Sequence, residues 1–116
     1  MTHTESHIQQ ICIKWFRYQY PNDRLLLFAV PNGAKVSLTH ARILKAEGLT
    51  AGVSDTILLK ANSRYHGLCI EFKTQTGRQS PEQKEFQASV EAAGYQYAIV
   101  RSFDDFDKLI KQYING

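Results

Sequence analysis

Leu68-Cys69-Ile70-Glu71-Phe72-Lys73-Thr74 reads as a strand with two unlike faces. Alternation along a pleated backbone puts Leu68, Ile70, Phe72 and Thr74 on one side and Cys69, Glu71 and Lys73 on the other. Glu71 and Lys73 are then same-face neighbours, about 7 Å apart at a rise of about 3.3–3.4 Å per residue. Both sequence neighbours of Glu71 are apolar, which predicts a central strand. A charge pair in such a strand costs desolvation unless it is put to use. Glu-x-Lys alone is a weak signal, because half-exposed strands often carry such a pair.

On its N-terminal side, Asn62-Ser63-Arg64 reads as a polar turn and residues 55–61 as a second strand. A hairpin symmetric about Ser63 sets Asp55 directly opposite Glu71, with Cβ atoms about 4.5–5.5 Å apart. Like charges so placed repel unless a cation or a shared proton lies between them. A divalent metal would relieve the repulsion, and Lys73 beside it would hold a phosphate or polarise a water. The plainer reading of Asp55 is a strand-start residue capping the Gly52-Val53-Ser54 turn.

The remaining elements alternate around this hairpin. Ile8, Ile11, Cys12, Trp15 and Phe16 follow a helical period and predict a helix over 4–19, broken by Tyr20-Pro21-Asn22-Asp23. Residues 25–30 predict a buried strand ended by Pro31-Asn32-Gly33, and residues 38–47 a short helix capped by Gly48. After a polar loop at 75–79, Ser80-Pro81-Glu82-Gln83 opens a helix to Gly94, with Ser as N-cap, Pro first and Gln in the capping-box position. Residues 95–101 predict a strand, and Ser102 caps a last helix through Tyr113. The order α-β-α-β-β-α-β-α predicts an α/β chain, a mixed sheet flanked by helices in three layers, as one domain over residues 1–116.

Composition narrows the function classes. At 116 residues, 43% hydrophobic and 22% charged, the chain is neither a disordered tail nor a coiled coil. Its longest apolar run, Leu25 to Val30, is too short to cross a bilayer, and the N-terminus shows no signal-peptide pattern, so an intracellular protein without a membrane partner is expected. Cys12 and Cys69 sit inside apolar patterns and read as core residues. The four histidines lack metal-site spacing, so any metal should be a hard ion held by carboxylates. The net charge of +3 is unevenly spread: residues 1–80 carry ten Lys/Arg against five Asp/Glu, and residues 81–116 four against six. That basic part would face a polyanion, or is simply a solvated surface.

Gly52-Val53-Ser54-Asp55, followed after fifteen residues by Glu71-Phe72-Lys73, resembles the PD-(D/E)xK nuclease motif. Several flanking features resemble the VRR-NUC branch in particular: a first helix beginning with Glu5, the Pro31-Asn32-Gly33 turn, and Gly48-Leu49-Thr50-Ala51-Gly52 before the aspartate. Thr74-x-x-Gly77-x-x-Ser80-x-x-Gln83 and Gly94-Tyr95 fit as well. Ser54 departs from the motif, which has proline there.

The resemblance implies a restriction-endonuclease-like fold and metal-dependent hydrolysis of phosphodiester bonds in DNA. By position, Asp55, Glu71 and the Phe72 backbone carbonyl would hold Mg²⁺ or Mn²⁺, with Glu5 a further acidic residue of the site. Lys73 would position the attacking water; the carboxylates beside it favour that role over proton abstraction. Gln83 reads both as the capping partner of Ser80 and as a site residue, and Glu5 both as a capping partner of Thr2 and as a site contact. Gln9, one turn on from Glu5, points toward the site more weakly. Asn32, Lys35, Arg42 and Lys45 are candidate nucleic-acid contacts, His40 lies among them, and the tyrosines are too scattered for a base-stacking platform.

By analogy with stand-alone, phage-type members, the expected substrate is branched DNA such as a Holliday junction, met in DNA repair, with nicks, flaps or duplex as alternatives. A homodimer is expected too. Helix 4–19, with Trp15, Phe16, Tyr18 and Tyr20, offers an aromatic face that serves either as the dimer interface or as packing on the domain's own sheet.

Overall fold

Ser80, Ser102 and Ser37 each precede a helix, and each accepts a hydrogen bond from the backbone N–H three residues on; for Ser80 and Ser102 the helix starts where the sequence predicts. The computed structural model describes residues 3–31 and 36–116. Its elements are α1 (His3–Gln19), β1 (Leu27–Ala29), α2 (Leu38–Ala46), β2 (Thr56–Leu58), β3 (Leu68–Phe72), α3 (Pro81–Ala92), β4 (Gln96–Val100) and α4 (Phe103–Ile114). A 3₁₀ turn, Pro21–Asp23, follows α1 where the breaker residues stand. The strands lie in the order β1-β2-β3-β4, with β1, β2 and β3 antiparallel and β4 parallel to β3. The architecture is therefore α/β with a mixed sheet, and β3 is central and buried along its whole length.

The alternation in β3 sorts the layers. Leu68, Ile70 and Phe72 face α1 and α4 in a core with Cys12, Phe16, Leu58, Val100, Phe106 and Ile110. Cys69 and Glu71 lie opposite Tyr97 and Ile99 of β4 on the other face, where Phe86 of α3 packs edge-on against Tyr97. Burying these side chains contributes about 1.5–3 kcal/mol each for the large aliphatic and aromatic ones. Both cysteines are free and buried, and burial pushes the Cys12 thiol up to about 12, so neither is a nucleophile.

Three expectations need correction. The strand over 25–30 is not a buried one. It contracts to β1 at the sheet edge, where only Leu27 is fully buried and Leu25 is 77% exposed, because β1 has a neighbour on one side only. The strand over 55–61 contracts to three residues, since the chain pairs with β3 only over Thr56–Leu58. The helix over 38–47 forms as α2 but covers no face of the sheet: none of its residues is buried, and Leu38 and Ile43 stand exposed. Among the described residues no helix is long and apolar enough to cross a membrane.

The aromatic face of α1 packs inward. Phe16 is fully buried, and Trp15 meets Phe103, Phe106 and Tyr20 edge-on at centroid distances of 5.5–6.0 Å. Of the four aromatics expected at an interface, Tyr18 alone remains exposed.

Candidate active site

The β2–β3 register pairs Thr56 with Ile70, Ile57 with Cys69 and Leu58 with Leu68. One step further along the same register, at the open end of the hairpin, Asp55 comes opposite Glu71, as symmetry about Ser63 requires. The turn before Asp55 is fixed twice. Ser54, fully buried where the motif has proline, donates its hydroxyl to the Thr56 carbonyl at 3.0 Å. Gly52 has φ +85°, and a Cβ there would collide with the Glu82 carbonyl of α3. Only glycine both adopts that backbone and lets α3 approach so closely.

That approach brings Gln83 to Glu71. Gln83 Oε1 accepts from the Ser80 backbone N–H at 2.8 Å, while its Nε2 donates to Glu71 Oε1 at 2.9 Å. The capping role and the site role are two ends of one amide. Asp55 Oδ2 accepts from the Phe72 backbone N–H at 2.7 Å. A strand residue's N–H and C=O leave the backbone on the same side, so the Phe72 carbonyl points toward Asp55 as well. Glu5, Gly52, Asp55, Glu71, Lys73 and Gln83 all line one cavity of about 250 Å³. The loop leaving Lys73 is held by Arg101, whose Nη1 donates to the carbonyls of Thr74 at 2.6 Å and Gly77 at 2.7 Å.

Burial and mutual repulsion dominate the electrostatics. Glu71 is 2% exposed, and desolvation, then the charge of Asp55, push its carboxyl up to about 8. Lys73 and the Tyr97 hydroxyl pull the other way. Asp55 is also raised, by burial first, against the lowering effect of its bond from Phe72; the charge of Glu5 adds to the rise. Folded Glu71 therefore keeps a proton that the unfolded chain has released. With metal absent, stability falls as pH rises from about 4.5 toward about 8. At about 1.4 kcal/mol per pKa unit the loss is on the order of 5 kcal/mol. Glu71→Gln removes most of this dependence: melting in EDTA across that range should show the wild type losing stability and the variant staying level. A variant that loses as much as the wild type would refute it.

These residues suit a hard divalent cation. Two carboxylates and a carbonyl are oxygen donors, and each carboxylate is driven toward protonation by burial first and then by neighbouring negative charge, which a cation would offset. Among the described residues no group of three or more His, Cys, Asp or Glu side chains is placed to hold a metal ion.

Of the other expected residues, Arg42 and Lys45 are exposed on α2 and His40 beside them also faces solvent. Asn32 and Lys35, like the Thr2 capping partner of Glu5, lie outside the described residues. Gln9 does not reach the site; it lines a separate cavity along α1. Tyr97 was not legible in sequence. Its hydroxyl donates to Glu71 Oε2 at 3.4 Å, a contact made by the β3–β4 register, for which a parallel crossover leaves no local signal.

A mixed sheet covered by helices on both faces, with carboxylates opposed on neighbouring strands and a lysine two residues beyond the second, defines the PD-(D/E)xK class of nucleases. Within it the chain belongs to the VRR-NUC family, whose domain model matches residues 3–104. A solved structure described as a VRR_NUC domain protein superposes with a TM-score of 0.84 at 27% identity, covering 99% of this chain and 91% of that one. No match was found among curated proteins. The family assignment makes the protein nuclease-type.

Proposed function

We propose that the chain is a single nuclease domain, a divalent-metal-dependent endodeoxyribonuclease that resolves four-way DNA junctions as a two-fold homodimer. The observation that carries the catalytic part is the opposition of Asp55 and Glu71 at one cavity shared with Lys73. Asp55, Glu71 and the Phe72 carbonyl would hold Mg²⁺ or Mn²⁺, with Glu5 lining the same cavity. The ion, when bound, offsets the negative charge that develops on the phosphate. Gln83 donates to Glu71 Oε1 and so holds that carboxylate in one orientation. Lys73 orients the attacking water and a phosphate oxygen. Arg42 and Lys45, together with Asn32 and Lys35, supply phosphate contacts, which set affinity without reading sequence.

Symmetry supports the substrate and the dimer. Two strands of a junction must be cut, and two copies of one cavity related by a two-fold axis meet them equivalently. The aromatic face of α1 is spent on the core, so the interface has to be built elsewhere. The test incubates the protein with labelled junction, flap, nicked and duplex DNA, with Mg²⁺, Mn²⁺ or EDTA. Paired symmetric cuts in the junction, abolished by EDTA, are expected, and light scattering at micromolar concentration should give about twice the 13.2 kDa chain mass. A monomer that cuts one strand favours the nick-or-flap reading. Junction binding without cleavage in any metal favours a non-catalytic binding module.

A further inference from the structure

Ser6, Gln9, Gln10, Ile13, Lys14 and Arg17 recur at the helical period and form one face of α1. At 100° per residue that face points away from the side on which Cys12 and Phe16 enter the core, and it lines a cavity of about 470 Å³. This cavity and the one at Asp55 and Glu71 are lined by consecutive residues at the start of the helix, Ser6 here and Glu5 there.

Away from the site the face turns basic. Glu5 is the single carboxylate of α1, and beyond it Lys14 and Arg17 stand exposed, three residues apart. Among the described residues the ion pairs join Lys60 to Asp23 and Lys111 to Asp107, so no carboxylate neutralises either cation of this face. Arg17 Nη2 donates to the Leu27 carbonyl at 3.4 Å, which anchors the guanidinium beside β1 and leaves most of its five N–H groups for a ligand. At 1.5 Å per residue, Lys14 and Arg17 stand about 13.5 and 18 Å along the helix from Glu5. A DNA strand advances about 3.4 Å of duplex axis per nucleotide, so these charges match phosphates about four and five nucleotides from the site. Two unpaired cations on a helix are commonly a solvated face. Here they end a polar groove that begins beside the candidate active site, and that continuity points to the substrate strand.

We propose that this face of α1 is a second DNA-contact surface, on which Lys14 and Arg17 each hold a phosphate of the strand leaving the active site. The proposal rests on reading the chain as a nuclease. Its contacts go to the backbone, so they add affinity without reading sequence. The test measures binding of a labelled four-way junction in EDTA across a salt series, for the wild type, Lys14→Gln, and the double variant Lys14→Gln with Arg17→Gln. Each lost phosphate contact lowers the slope of log affinity against log salt by about 0.9. The double variant should lose about 1.8 in slope and bind on the order of 50-fold more weakly at 0.1 M salt. Its cleavage at saturating protein should stay at the wild-type rate, because the substitutions stand far from Asp55 and Glu71. Lys14→Gln should lose about half as much slope, and it decides the matter if the double variant does not fold. Arg64→Gln with Lys108→Gln removes two exposed charges at the hairpin turn and on α4, and should leave the slope unchanged. An unchanged slope in the α1 variants, or an equal fall in the control, overturns the proposal while leaving the nuclease reading standing. A wild type that neither binds nor cuts DNA overturns that reading, and this proposal with it.

Discussion

Asp55→Ala and Glu71→Ala should each reduce DNA cleavage by more than about 10³-fold while leaving DNA binding within a few-fold of the wild type. The two effects separate because they have different sources. Cleavage needs negative charge concentrated at the mouth of one cavity, and that charge comes from two side chains on opposite strands. Binding draws on Lys and Arg contacts to many phosphates, which the substitutions do not touch. Removing a carboxylate even subtracts repulsion between protein and DNA. Above neutral pH the same substitutions should slightly raise the melting temperature of the metal-free protein, since each abolishes the Asp55–Glu71 repulsion that adds to burial in raising the Glu71 carboxyl. The counter-effect for Asp55→Ala is the loss of the acceptor of the Phe72 N–H. Gel-shift binding, cleavage of labelled DNA and melting in EDTA measure the three quantities. Cleavage at wild-type rates by both variants refutes the site assignment.

The parts of the site that were legible in sequence are those set by local rules. Alternation in residues 68–74 put Glu71 and Lys73 on one face. The hairpin's symmetry then placed Asp55 opposite Glu71, because the side-chain period of a strand is two and a one-residue slip would have buried the wrong face. Ser80 and Gln83 announced a helix start by their spacing, and the structure uses the same glutamine to reach Glu71. What local rules cannot supply is register across a crossover. β3 and β4 are joined through α3, so nothing near Tyr97 in sequence records that it will stand beside Glu71. Edges are equally silent: the apolar run from Leu25 to Val30 looks like a buried strand, and its exposure follows from β1 having no outer neighbour. Likewise α2 has a helical pattern, but which helices cover the sheet depends on how many the two faces accommodate.

Lys73→Ala should separate binding of the ion from turnover. Lys73 adds a positive charge to a cavity whose carboxylates face each other, and its charge lowers the carboxyls of both Asp55 and Glu71. Two consequences oppose each other on its removal. The site becomes more negative, which strengthens attraction for a divalent ion. Protons also compete more strongly for Glu71, which weakens binding at neutral pH. The second effect fades as pH rises past the titration of Glu71, so toward pH 9 Mn²⁺ binding by the variant should approach or exceed that of the wild type in calorimetry. Lowering the pH toward 7 should weaken binding more in the variant than in the wild type. Turnover should fall at least ~100-fold at either pH, the usual scale for losing one electrostatic stabiliser aimed at the reacting group. A lysine that were instead a ligand-side structural partner would show the reverse order. Binding at pH 9 would drop with turnover following it in proportion, and saturating Mn²⁺ would restore cleavage. Loss of Mn²⁺ binding with turnover retained at saturation therefore rules out the positioning role, because the charge would then matter to the ion and not to the water or the phosphate.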